Sequence, residues 1–330
     1  MKLLILGGTQ FVGRHIVEQA LAQGHEVELF NRGNNIGLFP DLKTYIGDRN
    51  KDLSVLENNT WDAVIDVSGY NRKQVQASAK LLKDASSFYC FISSISVYAQ
   101  LSQAPISKLI DENSALKELK EPTEEITAES YGPLKALCEQ DVQNVFDKAL
   151  IIRPGFIVGP YDHTDRFSYW PYRVAKGGQM LAPYAPNSPM QYIDARDLAT
   201  WIIDMIERQI TGSYNAVNNV GEQSIADILE TSRRLSNSDA EFIWLSSGFL
   251  QENDIGFQEL PIVFPADLNN AARVSNKAAV AEGLKFTSLE DTIKATLNWL
   301  ASYDDGYVLK GGLKPDKEKE LLAKWNTEKS

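Results

Sequence analysis

The sequence predicts an α/β protein: a doubly wound parallel sheet with a smaller part interleaved in its C-terminal half. Three observations predict it. Short apolar runs at residues 3–6, 44–46, 61–67 and 88–92 alternate with stretches of helical spacing. The first run passes directly into a glycine turn and a helix. A further run at 213–217 follows a helical stretch, so the sheet, whose main body is residues 1–160, is expected to regain elements near 190–217. The remainder of 161–330 would build the smaller part and a tail.

Leu3, Leu4, Ile5 and Leu6 are continuous rather than alternating, as a strand buried on both faces requires. Gly7, Gly8, Thr9, Gln10, Phe11, Val12 and Gly13 follow, then Ile16, Val17, Ala20 and Leu21 at helical spacing. Glycines let a ligand approach backbone N–H groups, and the helix N-terminus offers partial positive charge to a pyrophosphate. In this order the elements read as a Rossmann-type dinucleotide site, with Gly7, Thr9, Gln10, Phe11, Val12 and Gly13 against the cofactor. Gln10 stands where the middle glycine of the usual spacing falls. The second strand, 26–30, ends in Asn31 and Arg32, where an acidic residue would hold the ribose 2′-hydroxyl of NAD. That substitution suits the 2′-phosphate of NADP, although NAD stays open and a surface arginine is the plain alternative. After the third strand, Asp48 is placed either to meet an adenine edge or to cap the next turn. Ser68, Gly69 and Tyr70 end the fourth strand, small enough at its tip to pass beneath a cofactor.

The fifth strand runs into Ser93, Ser94, Ile95, Ser96, Val97 and Tyr98, placing hydroxyls at the carboxyl end of a central strand, where open α/β sheets bind ligands. Residues 100–130 are polar and acidic and read as a surface excursion. They lead to Tyr131 and Lys135, which share one face if a helix starts there, and Pro133 fits a first turn. A phenol beside an ammonium is an acid/base pair, because the cation favours phenolate. In the second half, 162–170 mixes charges and aromatics. Arg166 there meets an anionic substrate group or a surface carboxylate. His163 between aspartates has no recognised ligand geometry, so no metal is expected. Residues 264–273 offer Asn269, Asn270 and Arg273 as substrate contacts. Helices capped by Ser224 and Ser288 and a charged tail helix with Leu321, Leu322 and Trp325 complete the chain.

The 330 residues are 43% hydrophobic and 23% charged, enough for a sizeable core. A formal net charge of -11 repels polyphosphate, so nucleic acid and anionic membranes are disfavoured partners. No apolar run approaches a membrane span. Cys90 and Cys138 lack metal-like spacing and read as reduced thiols of a cytoplasmic protein.

Taken together, the glycine turn, the serine cluster ending in Val97 and Tyr98, the Tyr131/Lys135 pair, Arg153-Pro154-Gly155 with Gly159-Pro160, and the 192–199 segment resemble the extended short-chain dehydrogenase/reductases. The resemblance covers roughly 1–300. It implies an NAD(P)-dependent oxidoreductase or epimerase with Ser94 hydrogen-bonding the substrate oxygen, Tyr131 as acid/base, and Lys135 binding the nicotinamide ribose while lowering the tyrosine pKa. It also implies a small-molecule substrate and a homodimer; Ser96, Phe156, Arg166 and Arg273 are the candidate substrate contacts. Two departures narrow the branch. Ile95 and Ser96 replace the Asp-Glu pair of sugar-nucleotide dehydratases, and Phe156 replaces an asparagine that contacts the nucleotide sugar in many epimerases. The first turn, with Gly47, Asp48 and Arg49, also looks like an atypical branch that includes chloroplast stem-loop RNA-binding proteins. Those have lost the Tyr/Lys pair that this chain keeps.

Overall fold

The computed structural model describes residues 1–102, 107–183, 185–262, 270–303 and 307–328. In chain order the first elements are β1 (Lys2–Leu6), α1 (Phe11–Ala22), β2 (Glu26–Asn31), β3 (Thr44–Ile46), β4 (Ala63–Asp66) and α2 (Arg72–Leu82). Then come β5 (Tyr89–Ile92), α3 (Tyr131–Val145), β6 (Ala149–Pro154), β7 (Phe156–Val158), α4 (Tyr169–Ala175) and β8 (Gln179–Ala182). After these follow β9 (Pro189–Met190), β10 (Tyr192–Asp194), α5 (Ala195–Glu207), β11 (Gly212–Ala216), β12 (Gln223–Ser224) and α6 (Ile225–Ser236). The described chain finishes with β13 (Glu241–Trp244), α7 (Ser247–Glu252), α8 (Lys277–Ala281), α9 (Leu289–Leu300) and α10 (Pro315–Glu328).

Seven parallel strands form the main sheet in the order β11-β6-β5-β4-β1-β2-β3. This is the Rossmann-type doubly wound sheet the sequence predicts. Winding reverses between β1 and β4, which opens a crevice beyond their carboxyl ends. The continuous apolar run of β1 is explained by its two faces. Leu3 and Ile5 pack with Ile16 of α1 and Trp201 of α5, while Leu4 and Leu6 pack with Val75 of α2 and Val142 of α3. A second core gathers Trp170, Leu181, Ile228 and Trp325 from α4, β8, α6 and α10.

Helix starts follow the capping chemistry expected. Ser224 and Asp227 form a reciprocal capping box on α6, and Ser288 accepts the Asp291 N–H on α9. The tail packs as a helix: Glu318 of α10 is buried, accepts Arg173 Nε at 2.6 Å and the Leu181 N–H at 3.1 Å, and Trp325 meets Phe249 edge-on. Among the described residues no helix is long and apolar enough to cross a membrane.

Beneath the crevice Asp66 of β4 is wholly buried and receives Arg49 through both guanidinium Nη atoms, the Tyr89 hydroxyl at 2.8 Å and the Ser68 N–H at 3.1 Å. Arg49 also donates to Ser78 Oγ at 2.6 Å, so this residue braces the sheet from below. Burial alone would raise the Asp66 carboxyl; Arg49 and Tyr89 outweigh it and hold the group below its ordinary value. Because the native value is depressed, the stability this carboxylate contributes is present above the unfolded value of about 3.9 and lost as pH falls through the native one. Arg49→Met strips the buried carboxylate of its partner and is expected to cost about 3–5 kcal/mol in urea unfolding at neutral pH; a loss under about 1 kcal/mol contradicts the pairing.

Candidate active site

The glycine turn between β1 and α1 is a cradle that side chains would fill. Gly7 and Gly8 have φ of +112° and +90°, and a Cβ on Gly13 would lie 2.7 Å from the Gly8 nitrogen. Phe11 opens α1 at φ +35°, an unusual conformation for a bulky residue and a local strain at this turn. Gln10 precedes α1 without a side-chain cap, and the first turn holds no acidic residue, so its positive end faces the crevice uncompensated. These features fit a dinucleotide pyrophosphate. Val12 is half-buried against the sheet, and the Thr9 carbonyl accepts Asn35 Nδ2 at 3.4 Å.

At the end of β2, Asn31 Oδ1 accepts the Gly33 N–H at 2.8 Å, which leaves Asn31 Nδ2 buried with no partner among the described residues. Arg32 beside it is exposed. Asp48 spends one oxygen on the Asn50 N–H at 2.9 Å, the turn-capping alternative the sequence left open. Ser68 Oγ donates to the Leu6 carbonyl at 3.1 Å, tying the ends of β1 and β4 together at the crevice.

Helix α3 begins at Tyr131, with Pro133 in its first turn as expected. Lys135 is 3% exposed, and its ammonium donates to Gly69 O at 2.8 Å and Ile92 O at 2.6 Å. Burial lowers its pKa to about 8. Tyr131 goes the other way: burial foremost and the nearby Tyr70 raise its pKa, against a lowering by the Ser94 hydrogen bond and the charge of Arg166. The expectation that Lys135 pulls the phenol down is therefore not met, because desolvation of the phenolate is larger and the ammonium is held on backbone carbonyls. Ser94 caps the turn after β5, accepting the Ser96 N–H and donating to Ser96 Oγ, both at 3.1 Å. Ser94, Ser96, Tyr131 and Lys135 thus form one corner.

Two residues that pattern reading passed over hold this corner in place. A Cβ on Gly132 would lie 2.2 Å from the Ser96 carbonyl oxygen, so only glycine lets α3 come this close. One turn beyond Lys135, Glu139 is 1% exposed and takes Arg153 Nη2 at 2.6 Å and Ser93 Oγ at 2.5 Å. Arg153 continues to the Tyr98 hydroxyl at 2.8 Å, which donates to Asn215 Oδ1 at 2.7 Å. Glycine beside the tyrosine was a readable signal; the pairing of Glu139 with Arg153 was not.

Past the end of β6, Phe156 stacks on Phe257 with centroids 5.9 Å apart, and the Arg166 guanidinium lies 5.4 Å from the Phe257 ring. Phe156 also lines a small pocket with Met190, Gln191, Ile262 and Ala272. The loop before α4 is fixed from afar: the buried Asp165 carboxylate accepts the Tyr307 hydroxyl at 2.9 Å and the Lys310 N–H at 2.9 Å. His163 is exposed and meets the Phe11 ring edge-on. Arg273 Nη2 donates to Ser107 O at 3.1 Å on the loop that precedes α3, while its Nε is buried with no partner among the described residues. Asn269 lies outside the described residues.

The sequence model of the NAD dependent epimerase/dehydratase family matches residues 3–221. A curated relative, the chloroplast stem-loop binding protein of 41 kDa b from Arabidopsis thaliana, is 24% identical over 242 residues, 68% of this chain and 60% of that protein. The chain therefore spans less than two thirds of that relative. Among solved structures, UDP-glucose 4-epimerase from Bifidobacterium longum in complex with NAD+ and UDP has a TM-score of 0.66 at 18% identity, covering 93% of this chain and 100% of that one. Human epimerase family protein SDR39U1 with NADPH has a TM-score of 0.63 at 18% identity, covering 90% and 100%. At such identities the likeness is one of fold.

Gly132→Ala must push α3 away from the Ser96 carbonyl and is expected to lower stability by about 1–3 kcal/mol in urea unfolding. An alanine variant as stable as its parent contradicts the close approach.

Proposed function

The chain belongs to the NAD dependent epimerase/dehydratase family, and from that premise we propose an NADP-preferring oxidoreductase acting on a carbonyl/alcohol centre. The observation that carries the proposal is the corner itself, with Tyr131 against Ser94 and, one turn on, Lys135 fixed by Gly69 O and Ile92 O. Bound NAD(P) supplies the hydride acceptor or donor. The uncapped start of α1 and the Gly7, Gly8 and Gly13 cradle would hold its pyrophosphate. Asn31 Nδ2 and Arg32 present donors and no carboxylate at the end of β2, which supports the 2′-phosphate and hence NADP. Lys135 has three N–H donors and uses two on carbonyls, leaving the third for the nicotinamide ribose.

Tyr131 then gives or takes the proton on the substrate oxygen. Ser94 donates to the same oxygen and steadies the charge that changes there. Since burial raises the Tyr131 pKa, the phenol stays protonated at neutral pH and is poised as the donor for reduction. Oxidation needs the phenolate and gains from rising pH. Phe156 supports a substrate smaller or more apolar than a nucleotide sugar. Epimerisation of a sugar nucleotide would use the same three residues, and differs in leaving the cofactor unchanged after each turnover. Stem-loop binding, which the name of the curated relative brings to mind, fits poorly with a net charge of -11 and with the Tyr131/Lys135 pair.

Tyr131→Phe is expected to lower turnover by at least about 100-fold while cofactor affinity holds; retained activity removes Tyr131 from the chemistry. NADP is expected to raise the melting temperature more than NAD at equal concentration, and Arg32→Glu to erase the difference. Equal stabilisation of the parent by both cofactors contradicts the NADP assignment. Across about pH 6 to 7, below the titration of Lys135 near 8, the reduction rate is expected to stay flat while oxidation climbs; parallel profiles contradict the raised phenol. Net consumption of reduced cofactor during steady turnover separates reductase from epimerase.

A further inference from the structure

The turn after β4 holds a large side chain that the fold leaves uncommitted. Its backbone, by contrast, is tied at each residue. The Ser68 N–H donates to Asp66 Oδ1 at 3.1 Å, the Gly69 carbonyl takes the Lys135 ammonium at 2.8 Å, and the Tyr70 N–H donates to Gln74 Oε1 at 3.3 Å. Asn71 then caps α2, accepting the Gln74 N–H at 3.0 Å. A Cβ on Gly69 would lie 2.7 Å from both Phe91 and Val75, so glycine lets the turn press against β5 and α2. The Tyr70 ring is nevertheless 48% exposed, and its hydroxyl makes no hydrogen bond among the described residues.

Its neighbours say where that ring stands. Lys135 Nζ lies 5.7 Å from its centroid. Loss of water and the Asp66 charge raise the pKa of its hydroxyl, and the charge of Arg32 lowers it. The Tyr131 phenol is in turn raised, after burial, by Tyr70. Arg32 follows β2 and Tyr131 opens α3, so these neighbours belong to opposite sides of the crevice between β1 and β4. Tyr70 therefore stands at the mouth of that crevice, between its two ends. A dinucleotide running from the glycine turn to Lys135 has to pass it, and a ribose hydroxyl taking the third Lys135 donor arrives beside the ring. A half-exposed aromatic face gains apolar contact when a ligand lies under it, and its unspent hydroxyl gains a partner.

We propose that Tyr70 is a retention residue for the cofactor, its ring closing over the bound dinucleotide at the crevice mouth and swinging away before the cofactor leaves. The inference rests on the cofactor site proposed above. Motion is confined to side-chain torsions, because the backbone on either side is held by Asp66, Lys135 and Gln74. A ring that filled the cofactor's own seat would be buried; at 48% exposure it is a cover rather than a plug. Cofactor release would then depend on a side chain outside the Ser94, Tyr131 and Lys135 set.

The test is stopped-flow release of NADPH from the full chain, chased with excess NADP and followed by cofactor fluorescence. Tyr70→Ala is expected to speed release about tenfold, with the association rate constant within about twofold and the melting temperature of the free chain unchanged. Tyr70→Phe keeps the ring and is expected to release within about twofold of the parent rate. Release as slow in Tyr70→Ala as in the parent overturns the cover. So does faster association with unchanged release, the signature of a plug, and so does Tyr70→Phe releasing as fast as Tyr70→Ala. Where Tyr70→Ala lowers the melting temperature, Tyr70→Gln, of similar reach and without a ring, is judged by the same rates. A parent chain that binds no NADPH overturns the cofactor site and the cover together; binding whose release is indifferent to residue 70 removes the cover alone.

Discussion

The seat of α3 on the carboxyl ends of β4, β5 and β6 is the constraint on which the rest depends. Tyr131, Lys135 and Glu139 are four apart, so one helical face carries all three. Each addresses a different anchor: Tyr131 meets Ser94, Lys135 the carbonyls of Gly69 and Ile92, and Glu139 the Arg153 guanidinium and Ser93. A rotation of α3 that spoiled one of these would spoil the others. The helix lies close enough only because residue 132 has no side chain to meet the Ser96 carbonyl.

The polar groups under the crevice divide into two kinds. Asp66 with Arg49 and Glu139 with Arg153 are buried ion pairs, closed on themselves by Tyr89, Ser78, Ser93 and Tyr98. Such pairs add little net stability over apolar packing, yet each charge is costly without its partner, so they fix geometry rather than add free energy. Lys135 lies between them and is tied to neither. Burial exceeds the attraction of Asp66 and Glu139 and brings its pKa to about 8, while carbonyl tethers leave one donor open. The closed pairs position; the open lysine is the one able to meet a ligand.

How much of this was legible follows from sequence distance. Where chemistry is local, the reading succeeded: the glycine turn, the Tyr131/Lys135 spacing, the Ser224 and Ser288 caps and the buried run of β1 all declare themselves within a few residues. The two-residue β9 and β12 and the four-residue β8 and β13 are too short for a period to register, and α4 carries Pro171 in its first turns. Strand β4 is shorter than its apolar run: Trp61 lies ahead of it and donates its indole N–H to Glu28 at 2.8 Å. In the site, the serine cluster and Tyr131 were readable, whereas Ser93 and Glu139 are 46 residues apart and Arg49 reaches Ser78 across 29. The direction of the Tyr131 shift was misjudged for a related reason: the effect of a neighbouring cation can be read from spacing, but burial depends on everything packed around the ring.

In the reading proposed above, chemistry and recognition fall to different parts of the chain, and that division explains why the reaction is easier to read than the substrate. The Tyr131 corner hangs on the parallel sheet, whose pattern is strong. Arg166 is instead placed by contacts from far away: Asp165, the residue before it, is held by Tyr307 and Lys310, and a Cβ on Gly311 would lie 3.0 Å from Thr164 O. A segment about 145 residues downstream therefore sets where that guanidinium stands relative to Tyr131. Substitutions in the 307–312 segment would move the loop that carries Arg166 without touching Ser94, Tyr131 or Lys135. A fold of this kind can keep its proton-transfer machinery while the ligand it accepts is rewritten from the C-terminal side.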